Sequence, residues 1–433
     1  MRSIVPTTTK RRQFLKTMVA ASLPALAAGR ACAQSASSIK ANERITLGCI
    51  GLGIHGMGWN LDAFLKIPEA RVLAVCDVYK DRREKARAKV NEAYGASDCA
   101  MYNDFREILA REDIDAVVIS TPDHWHVLMS VMAARAGKDV FCEKPTLNIE
   151  QGQTLVEVMR ETGVVYQGGL EDRSVEQYYR LAELVRNGRI GRLERIRIAL
   201  PSGDVFEKEE EAPVPEGLDY DLWLGPAPYT PYTPSKLEAQ HWRNVWDYSG
   251  GKLTDWGAHL IDTAQVAMNE QRGGPVEIDG KGEFPENALS TTATEYEIHY
   301  RYANGVEMTV KSGGTSIRFE GSEGWVECPE WRKPLKASDP EILETVYAAE
   351  KTQMWPQPPS EHVDFINAVR NRTQPTYPPE DIHRLSAVMH LGNISMRLGR
   401  KLKWDPTGEK FEGDEQAGAY LSCPMREPWT FDT

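Results

Sequence analysis

The stretch ITLGCIGLGIHG, residues 45–56, runs from a short apolar segment directly into a glycine-rich turn. Gly51, Gly53 and Gly56 form the pattern G-x-G-x-x-G where a strand is predicted to lead into a helix. Without side chains at these positions, backbone amides and the helix N-terminus can approach the phosphates of a dinucleotide. The pattern alone is a weak signal, because glycine-rich turns also form without a ligand. The flanking sequence indicates whether this turn binds a dinucleotide.

An acidic residue ends the next apolar segment, RVLAVCDV at residues 71–78. Asp77 stands where a carboxylate can accept hydrogen bonds from the ribose hydroxyls of a dinucleotide. The same charge repels a 2'-phosphate and therefore favours NAD over NADP, although three basic residues follow closely, Lys80, Arg82 and Arg83. Strand, turn, helix, second strand and acid stand in the order that predicts dinucleotide binding.

Apolar and helical patterns alternate from residue 44 to about residue 165. Short runs rich in Val and Ile, such as IDAVVISTP and KDVFCEKP, are separated by helical stretches. This alternation predicts a parallel sheet covered by helices on both faces, and such sheets bind ligands at the carboxyl ends of their strands. The predicted NAD-binding residues are therefore the turn, the acid and the residues that follow later strands: Gly51, Gly53, Ile54, His55, Gly56, Asp77, Thr121, Pro122, His126, Glu143 and Lys144.

A different pattern marks the second half of the chain. Segments such as TEYEIHYRYANGVEMTVKSG alternate apolar and polar residues with period two, and Asn304-Gly305 is a strong hairpin signal. They predict an antiparallel sheet with one face in water. We assign residues 44–165 to a Rossmann domain, 166–400 to a second domain and 401–433 to a C-terminal tail.

The loop GLDYDLWLGPAPYTPYTPSK, residues 217–236, is too aromatic to be a simple linker. Trp223 and Tyr229 suit stacking against the apolar faces of sugar rings, and they equally suit packing of the loop itself. Both interpretations are open on the sequence alone.

The stretch GGKLTDWGAHLIDTAQ, residues 250–265, carries acids and a histidine on a predicted helix. Asp255, His259 and Asp262 are spaced i, i+4 and i+7 and share one face. On these residues alone the stretch is a capped helix with a polar face, a metal site, or an acid/base pair beside a nicotinamide. Histidine suits the last role, since its unperturbed pKa of about 6.5 lies near neutral pH.

Four motifs in order resemble the Gfo/Idh/MocA family, named for glucose-fructose oxidoreductase, inositol dehydrogenase and a rhizopine-catabolism protein. They are the glycine turn, T-P-x-x-x-H from Thr121, E-K-P from Glu143 and D-x-x-x-H from Asp255. The resemblance runs from about residue 44 to about residue 400. It implies an α/β fold with an N-terminal Rossmann doubly wound parallel sheet and a C-terminal α/β domain with an open, mainly antiparallel sheet. It also implies a homo-oligomer, either a dimer or a tetramer.

The resemblance selects the acid/base interpretation and implies roles for its residues. Lys144 resembles the active-site lysine of the family, and Asp255 and His259 match its catalytic pair. His259 is expected to take the hydroxyl proton, Asp255 to orient His259 or the substrate, and Lys144 to stabilise the developing alkoxide. No metal is expected. Further family positions are Trp242 and Arg243 for the cofactor, and Arg173, His241 and Asp262 for the substrate.

The first residues of the chain are typical of a signal rather than of a folded domain. Arg11 and Arg12 precede a short Ala/Leu-rich stretch and Ala31-Cys32-Ala33, which fits a cleavage site. We expect a twin-arginine signal at residues 1–33, export by the Tat machinery, and a periplasmic or otherwise exported protein. The stretch is too short and too weakly apolar to span a bilayer, so no membrane span is expected. A net charge of −12 argues against nucleic acid as a partner.

These observations together predict an exported NAD-dependent oxidoreductase that acts on a secondary hydroxyl of a sugar, glycoside or inositol. Free NAD is scarce outside the cytoplasm, so the cofactor is expected to be tightly bound. Two alternatives are open. An NAD-dependent glycosidase would oxidise C3 of the sugar transiently and release the aglycone by elimination. A non-catalytic periplasmic sugar-binding protein would keep only the fold.

Overall fold

The computed structural model describes residues 44–238 and 241–432. The predicted signal at residues 1–33 lies outside the described residues. In the described part, the chain is organised around two β-sheets. No helix there is long and apolar enough to cross a membrane.

The first sheet is parallel and has six strands in the order β3-β2-β1-β4-β5-β6. This is the strand order of a dinucleotide-binding doubly wound sheet. Its first strand is entirely apolar apart from one threonine, as expected of a strand covered on both faces. The strands are β1 (Ile45–Ile50), β2 (Ala70–Cys76), β3 (Ala100–Tyr102), β4 (Ala116–Ile119), β5 (Asp139–Glu143) and β6 (Tyr166–Gly169).

Helices cover both faces of this sheet, and their ends follow the expected capping chemistry. The Asn148 side chain accepts a hydrogen bond from the backbone N–H of Gln151, and the helix that begins there ends at Gly163 in the left-handed conformation. A π-helical turn (Gly56–Leu61) leads into α1 (Asp62–Leu65), and the others are α2 (Lys80–Tyr94), α3 (Phe105–Leu109), α4 (Asp123–Arg135) and α5 (Ile149–Thr162).

The second sheet has nine strands in the order β13-β12-β11-β7-β10-β9-β8-β14-β15. Only the β7/β10 pair is parallel, and β9 alternates exposed and buried residues along its whole length. The prediction of a mainly antiparallel sheet with one face in water is therefore confirmed. Its strands are β7 (Leu193–Leu200), β8 (Pro275–Glu283), β9 (Glu295–Tyr302), β10 (Glu307–Ser312), β11 (Ser316–Gly321), β12 (Gly324–Cys328), β13 (Lys336–Ala337), β14 (Leu402–Asp405) and β15 (Lys410–Phe411).

The helices of the second half pack between the two sheets and behind the first one. Helix α12 contacts both α5 and β8, whereas α11 packs against β1 and β6 of the parallel sheet. The helices are α6 (Glu176–Arg186), α7 (Tyr220–Leu224), α8 (Lys252–Asp255), α9 (Gly257–Met268), α10 (Pro340–Glu344), α11 (Glu361–Asn371), α12 (Pro379–Leu398) and α13 (Glu415–Gly418). Two short 3₁₀ helices lie at Ser235–Leu237 and Trp242–Asn244.

The chain crosses between the two sheets at places other than the boundaries we assigned. Strand β6 lies beyond residue 165, yet it completes the parallel sheet by pairing with β5. Strand β14 lies in the segment assigned to the tail, yet it pairs with β8 in the larger sheet. One hydrophobic core extends from Val117 of the parallel sheet to Phe319 of the other, so the two halves share buried surface.

Candidate active site

A cavity of about 880 Å³ lies at the carboxyl ends of the parallel strands. Residues that directly follow β1, β2, β4 and β5 form one wall, as the strand order predicts for a ligand site. Residues of the second half form the opposite wall. All the predicted catalytic and cofactor-binding residues border this cavity: Gly51, Gly53, Ile54, His55, Gly56, Asp77, Thr121, Pro122, His126, Glu143, Lys144, Trp242, Arg243, Asp255 and His259.

The three glycines of the turn serve two different purposes. A Cβ on Gly51, whose φ is +84°, would lie 2.6 Å from the backbone of Ser120, and one on Gly56 would lie 2.1 Å from the carbonyl oxygen of Gly51. Both are therefore required by the close packing of the turn itself. A Cβ on Gly53 would meet nothing closer than the Arg82 guanidinium at 3.8 Å. The open space beside Gly53 fits the phosphates of a dinucleotide.

Asp77 is buried and held by the turn. Its Oδ2 accepts a hydrogen bond from the backbone N–H of Leu52 at 2.6 Å, and its Oδ1 accepts one from the backbone N–H of Tyr79 at 2.8 Å. Burial raises the pKa of this carboxyl, and the nearby Arg82 offsets part of the rise. The fixed carboxylate borders the cavity, so it can receive the adenosine ribose of NAD as predicted.

A histidine of the turn forms an ion pair with Glu143 at the end of β5. His55 Nε2 lies 2.9 Å from Glu143 Oε1, and the Asn60 side chain donates to the same oxygen. Burial would raise the pKa of Glu143, but His55, Asn60 and Lys144 together lower it to about 2. Attraction to Glu143 is in turn the largest cause of the raised pKa of His55. Glu143 therefore favours the protonated, positively charged form of His55, beside the turn that is predicted to hold the phosphates.

His126 borders the cavity, but its ring nitrogens are engaged elsewhere. Nδ1 lies 2.9 Å from the carbonyl oxygen of Pro145, and Nε2 lies 2.8 Å from that of Thr121. The residue therefore ties together the two loops that follow β4 and β5. Its predicted cofactor contact is limited to the ring surface.

His259 has a carboxylate partner, which is Asp172 rather than the predicted Asp255. Its Nδ1 lies 2.7 Å from Asp172 Oδ2 and 3.8 Å from Glu171 Oε2, and no described residue bonds its Nε2. Burial lowers the pKa of His259, but attraction to Asp172 and Glu171 outweighs this and raises it above 6.5. The arrangement holds one ring nitrogen and leaves the other free, as in a general base with an orienting acid.

Asp255 instead pairs with Lys144 across the cavity. Lys144 Nζ donates to the Asp255 backbone oxygen at 2.8 Å and to its Oδ1 at 3.1 Å, while Arg243 Nε lies 3.7 Å from the same Oδ1. Burial lowers the pKa of Lys144, but attraction to Asp255 and Glu143 outweighs burial and raises this pKa above its usual value. Burial raises the pKa of Asp255, but Lys144 and Arg243 pull it well below its usual range. Both groups therefore stay charged at neutral pH.

The sequence carries a signal for Asp172 outside the four family motifs. Glu171 and Asp172 come two and three residues after the end of β6, and Asp77 comes one residue after the end of β2. An acid at the carboxyl end of a parallel strand belongs to the edge of the sheet where ligands bind. The same rule that selected Asp77 therefore selects Asp172.

The three predicted substrate residues do not border the cavity. Arg173 Nη2 lies 2.6 Å from Asp262 Oδ1, and its Nη1 lies 2.7 Å from Asp381 Oδ2, with all three side chains almost fully buried. His241 stacks on Phe206, with ring centroids 3.6 Å apart. Asp262 lies one helical turn beyond His259 on α9, where it is buried and forms the ion pair with Arg173.

Replacing Arg173 by methionine (Arg173→Met) is expected to lower the free energy of unfolding by about 3–5 kcal/mol, because Asp262 loses its cation while buried. Urea unfolding followed by circular dichroism measures the change. The double variant Arg173→Met with Asp262→Asn removes both charges and should recover part of the loss. An unchanged unfolding free energy with a raised KM for carbohydrate would instead return Arg173 to the substrate site.

A metal site at His259 would use other ligands than the ones the sequence suggests, and the geometry does not require a metal there. Glu171, Asp172 and His259 each place one potential ligand atom within 4.8 Å of the others, and Asp255 does not belong to this group. The Asp172–His259 hydrogen bond and an ion pair of Glu171 with Arg332, at 2.7 Å, already account for the cluster. A chelator separates the two interpretations, since it silences only a metalloenzyme.

Aromatic rings surround His259 and extend along the cavity. The Trp331 ring centroid lies 5.0 Å from that of His259, and Trp256 borders the cavity beside them. Trp223 also borders the cavity, whereas the Tyr229 side chain is 68% exposed and lies away from it. Aromatic faces near a base suit a ligand with apolar ring faces, such as a sugar.

Comparison with known proteins finds models of one family that match both halves of the chain. The Gfo/Idh/MocA model described as "Oxidoreductase family, NAD-binding Rossmann fold" matches residues 45–170, and the one described as "Oxidoreductase family, C-terminal alpha/beta domain" matches residues 204–431. The first match ends just past β6 and contains the glycine turn, Asp77 and Lys144. The second contains Asp255 and His259.

Curated relatives match over parts of their length. A glycosyl hydrolase family 109 protein of Solibacter usitatus is 36% identical over 148 residues, which are 32% of this chain and 33% of the relative. Myo-inositol 2-dehydrogenase of Thermotoga maritima is 29% identical over 226 residues, which are 52% of this chain and 55% of that enzyme. The chain thus spans about a third to about half of the length of these relatives.

Solved structures show the same fold over most of the chain. A levoglucosan dehydrogenase in complex with NADH and levoglucosan superposes with a TM-score of 0.61 at 19% identity, covering 83% of this chain and 99% of the other. The Rossmann model matches the part of the chain that forms the parallel sheet, and the C-terminal model matches most of the part that forms the mainly antiparallel sheet. The chain therefore belongs to the Gfo/Idh/MocA family of oxidoreductases and has an NAD-binding Rossmann domain.

Proposed function

We propose that the protein transfers a hydride between NAD and a secondary hydroxyl carbon of a sugar, glycoside or inositol. One observation carries the proposal: His259, held by Asp172 at 2.7 Å, borders the same cavity as the glycine turn and Asp77. The base and the predicted cofactor site thus border the same cavity. Binding alone would not need an imidazole held in one orientation there by a carboxylate.

NAD, when bound, accepts the two electrons and the hydrogen that leave the carbon as hydride. The chain has to remove the remaining proton from the hydroxyl oxygen. His259 takes this proton at Nε2, and the Asp172 carboxylate stabilises the imidazolium that results. The alcohol becomes a ketone, and in the reverse direction His259 returns the proton.

Lys144 stabilises the oxygen as its proton leaves. Its ammonium is held by the backbone and side chain of Asp255, and it lies close enough to His259 to lower the pKa of the imidazole. A fixed cation beside the reacting oxygen favours the charge that develops on that oxygen. Asp255 is therefore a positioning residue for Lys144.

The raised pKa of His259 gives the reaction a defined pH dependence. Since only the neutral imidazole accepts a proton, kcat/KM for oxidation should rise with pH and level off above a midpoint that lies above 6.5. In Asp172→Asn the larger of the two attractions that raise the pKa of His259 is lost, so the midpoint should move to lower pH. The maximal kcat should also fall by roughly 10- to 100-fold, because the ring is no longer held. Initial rates from pH 5 to about 10 measure both effects; an unmoved midpoint contradicts the role of Asp172.

The substrate class is tested by mixing the protein and NAD with a panel of glycosides, free sugars and inositols. The near-ultraviolet absorbance of reduced nicotinamide reports the transfer, and mass spectrometry identifies a ketone lighter by two hydrogens. Binding of NAD and carbohydrate without any turnover would support a non-catalytic sugar-binding protein instead.

A glycosidase is the second candidate, and the likeness to a glycosyl hydrolase family 109 protein favours it. In that chemistry, transient oxidation at C3 acidifies the C2 proton, the aglycone leaves by elimination, and the hydride returns, so that net redox is zero. Release of the aglycone without accumulation of ketone or reduced nicotinamide would select it. The same His259 and Lys144 would serve its oxidation step.

We also propose export through the twin-arginine pathway and assembly into a homo-oligomer. The paired Arg11 and Arg12 and the sequence Ala31-Cys32-Ala33 support export. The family membership supports assembly. Cell fractionation of the full chain and light scattering of the purified protein test these two proposals.

A further inference from the structure

One aromatic side chain is exposed at the cavity and has no part in the proposed hydride transfer. Trp59 lies in the π-helical turn Gly56–Leu61, directly after the glycine turn, and borders the cavity. It is 41% exposed, although tryptophan side chains usually bury most of their surface. A large exposed ring in the wall of a ligand cavity is a candidate contact for part of the ligand.

The Trp59 ring is fixed in position by α11. Its Nε1 donates a hydrogen bond to Glu361 Oε1 at 3.0 Å, and Glu361 is buried in the first turn of that helix. The same helix holds the next residue of the π-helical turn, since His362 Nε2 lies 2.8 Å from Asn60 Oδ1. A ring that is already fixed loses little freedom when a ligand binds against it.

The exposed part of the Trp59 ring is apolar. The indole N–H is the only polar group of this side chain, and Glu361 already accepts its hydrogen bond. The neighbouring His55 ring lies nearly parallel to the indole, at 21°, with the ring centroids 6.3 Å apart. Flat ring faces of this kind suit the apolar face of a sugar or the face of an aromatic group.

Glu171 connects the catalytic base to the surroundings of Trp59. Glu171 borders the cavity, and its Oε2 lies 3.8 Å from His259 Nδ1. It also lies near the hydrogen-bond partner of Trp59: burial is the main cause of the raised pKa of Glu361, and repulsion by Glu171 adds to the rise. A ligand that reacts at His259 and extends past Glu171 therefore reaches Trp59 within the same cavity.

We propose that Trp59 stacks on a second ring of the substrate, which a glycosidic bond joins to the sugar whose hydroxyl reacts at His259. The protein then prefers glycosides that carry a sugar or an aromatic ring as aglycone. Free monosaccharides and inositols bind more weakly, because they lack this second ring. The inference rests on the proposed function, because it narrows the substrate class of the same site.

Binding to the NADH-loaded full chain tests the second ring apart from catalysis, because an alcohol cannot give a hydride to nicotinamide that is already reduced. Isothermal titration calorimetry compares each methyl glycoside of the panel with the phenyl glycoside and the disaccharide of the same sugar. The ligands with a second ring should bind about tenfold more tightly than the methyl glycoside. Equal affinities, or no binding of any glycoside, would overturn the proposal. This preference without any hydride transfer would instead contradict only the proposed function.

Variants of Trp59 show whether its ring causes the preference. Trp59→Ala removes the ring and should reduce the preference to about twofold or less. Trp59→Phe keeps an aromatic face but loses the hydrogen bond to Glu361, so most of the preference should remain. The matched control is Tyr229→Ala, which removes a 68% exposed ring away from the cavity and should leave the preference unaltered. An unchanged preference in Trp59→Ala, or an equal loss in Trp59→Ala and Trp59→Phe, would overturn the proposal.

Discussion

Replacing His259 by alanine (His259→Ala) is expected to lower kcat by about 10²–10⁴, the usual contribution of a general base. The variant leaves the hydroxyl proton without an acceptor, while Asp77 and the glycine turn are untouched. NAD binding should therefore stay within about twofold of wild type, because the base does not touch the adenosine or phosphate site. Steady-state rates with the best substrate of the panel, together with NADH fluorescence titration, measure the two quantities.

The control for this experiment is His299→Ala, on the exposed face of β9. It changes the same residue type outside the cavity and should leave kcat unaltered. Unchanged turnover in His259→Ala would remove the assigned base. Equal losses in both variants would point to damage of the fold instead.

Replacing Lys144 by methionine (Lys144→Met) is expected to lower kcat by about 10²–10³, the range found when one fixed donor to a developing oxyanion is removed. KM should change less, because the cation acts most strongly when the oxygen becomes charged. The variant also leaves Asp255, a partly buried carboxylate, without its ammonium partner, and this lowers stability.

The double variant Lys144→Met with Asp255→Asn separates these two causes. It removes both charges, so the free energy of unfolding should recover while kcat stays low. Recovery of kcat in the double variant would show that Lys144 acts only on stability. Urea unfolding and steady-state rates on the same preparations provide both readouts.

The cofactor half of the site could be predicted from the sequence because its determinants are local. The turn from Gly51 to Gly56 and the acid Asp77 lie at strand ends that the apolar pattern marks, and strand order then brings them together. Lys144 follows from the same rule at β5. Only His126 differs, since both its nitrogens bind backbone carbonyls of neighbouring loops.

The catalytic half could be predicted only in part, because helical spacing does not say what a face packs against. His259 and Asp262 share a face of α9, but that face meets the loop after β6. Asp172 therefore takes His259, and Arg173 takes Asp262. Asp255 ends the preceding helix, where it meets Lys144 instead of His259. These pairings join residues far apart in the chain and need the packed structure.

The most direct test of the account is the transfer of a deuterium label. A substrate from the panel, deuterated at the carbon that carries the reacting hydroxyl, is mixed with the NAD-loaded protein for a single turnover. Mass spectrometry of the reduced cofactor should find the deuterium on the nicotinamide, and the corresponding experiment with His259→Ala should find almost none in the same time. Product formed by the wild type with no deuterium in the cofactor at any time would contradict hydride transfer in this cavity.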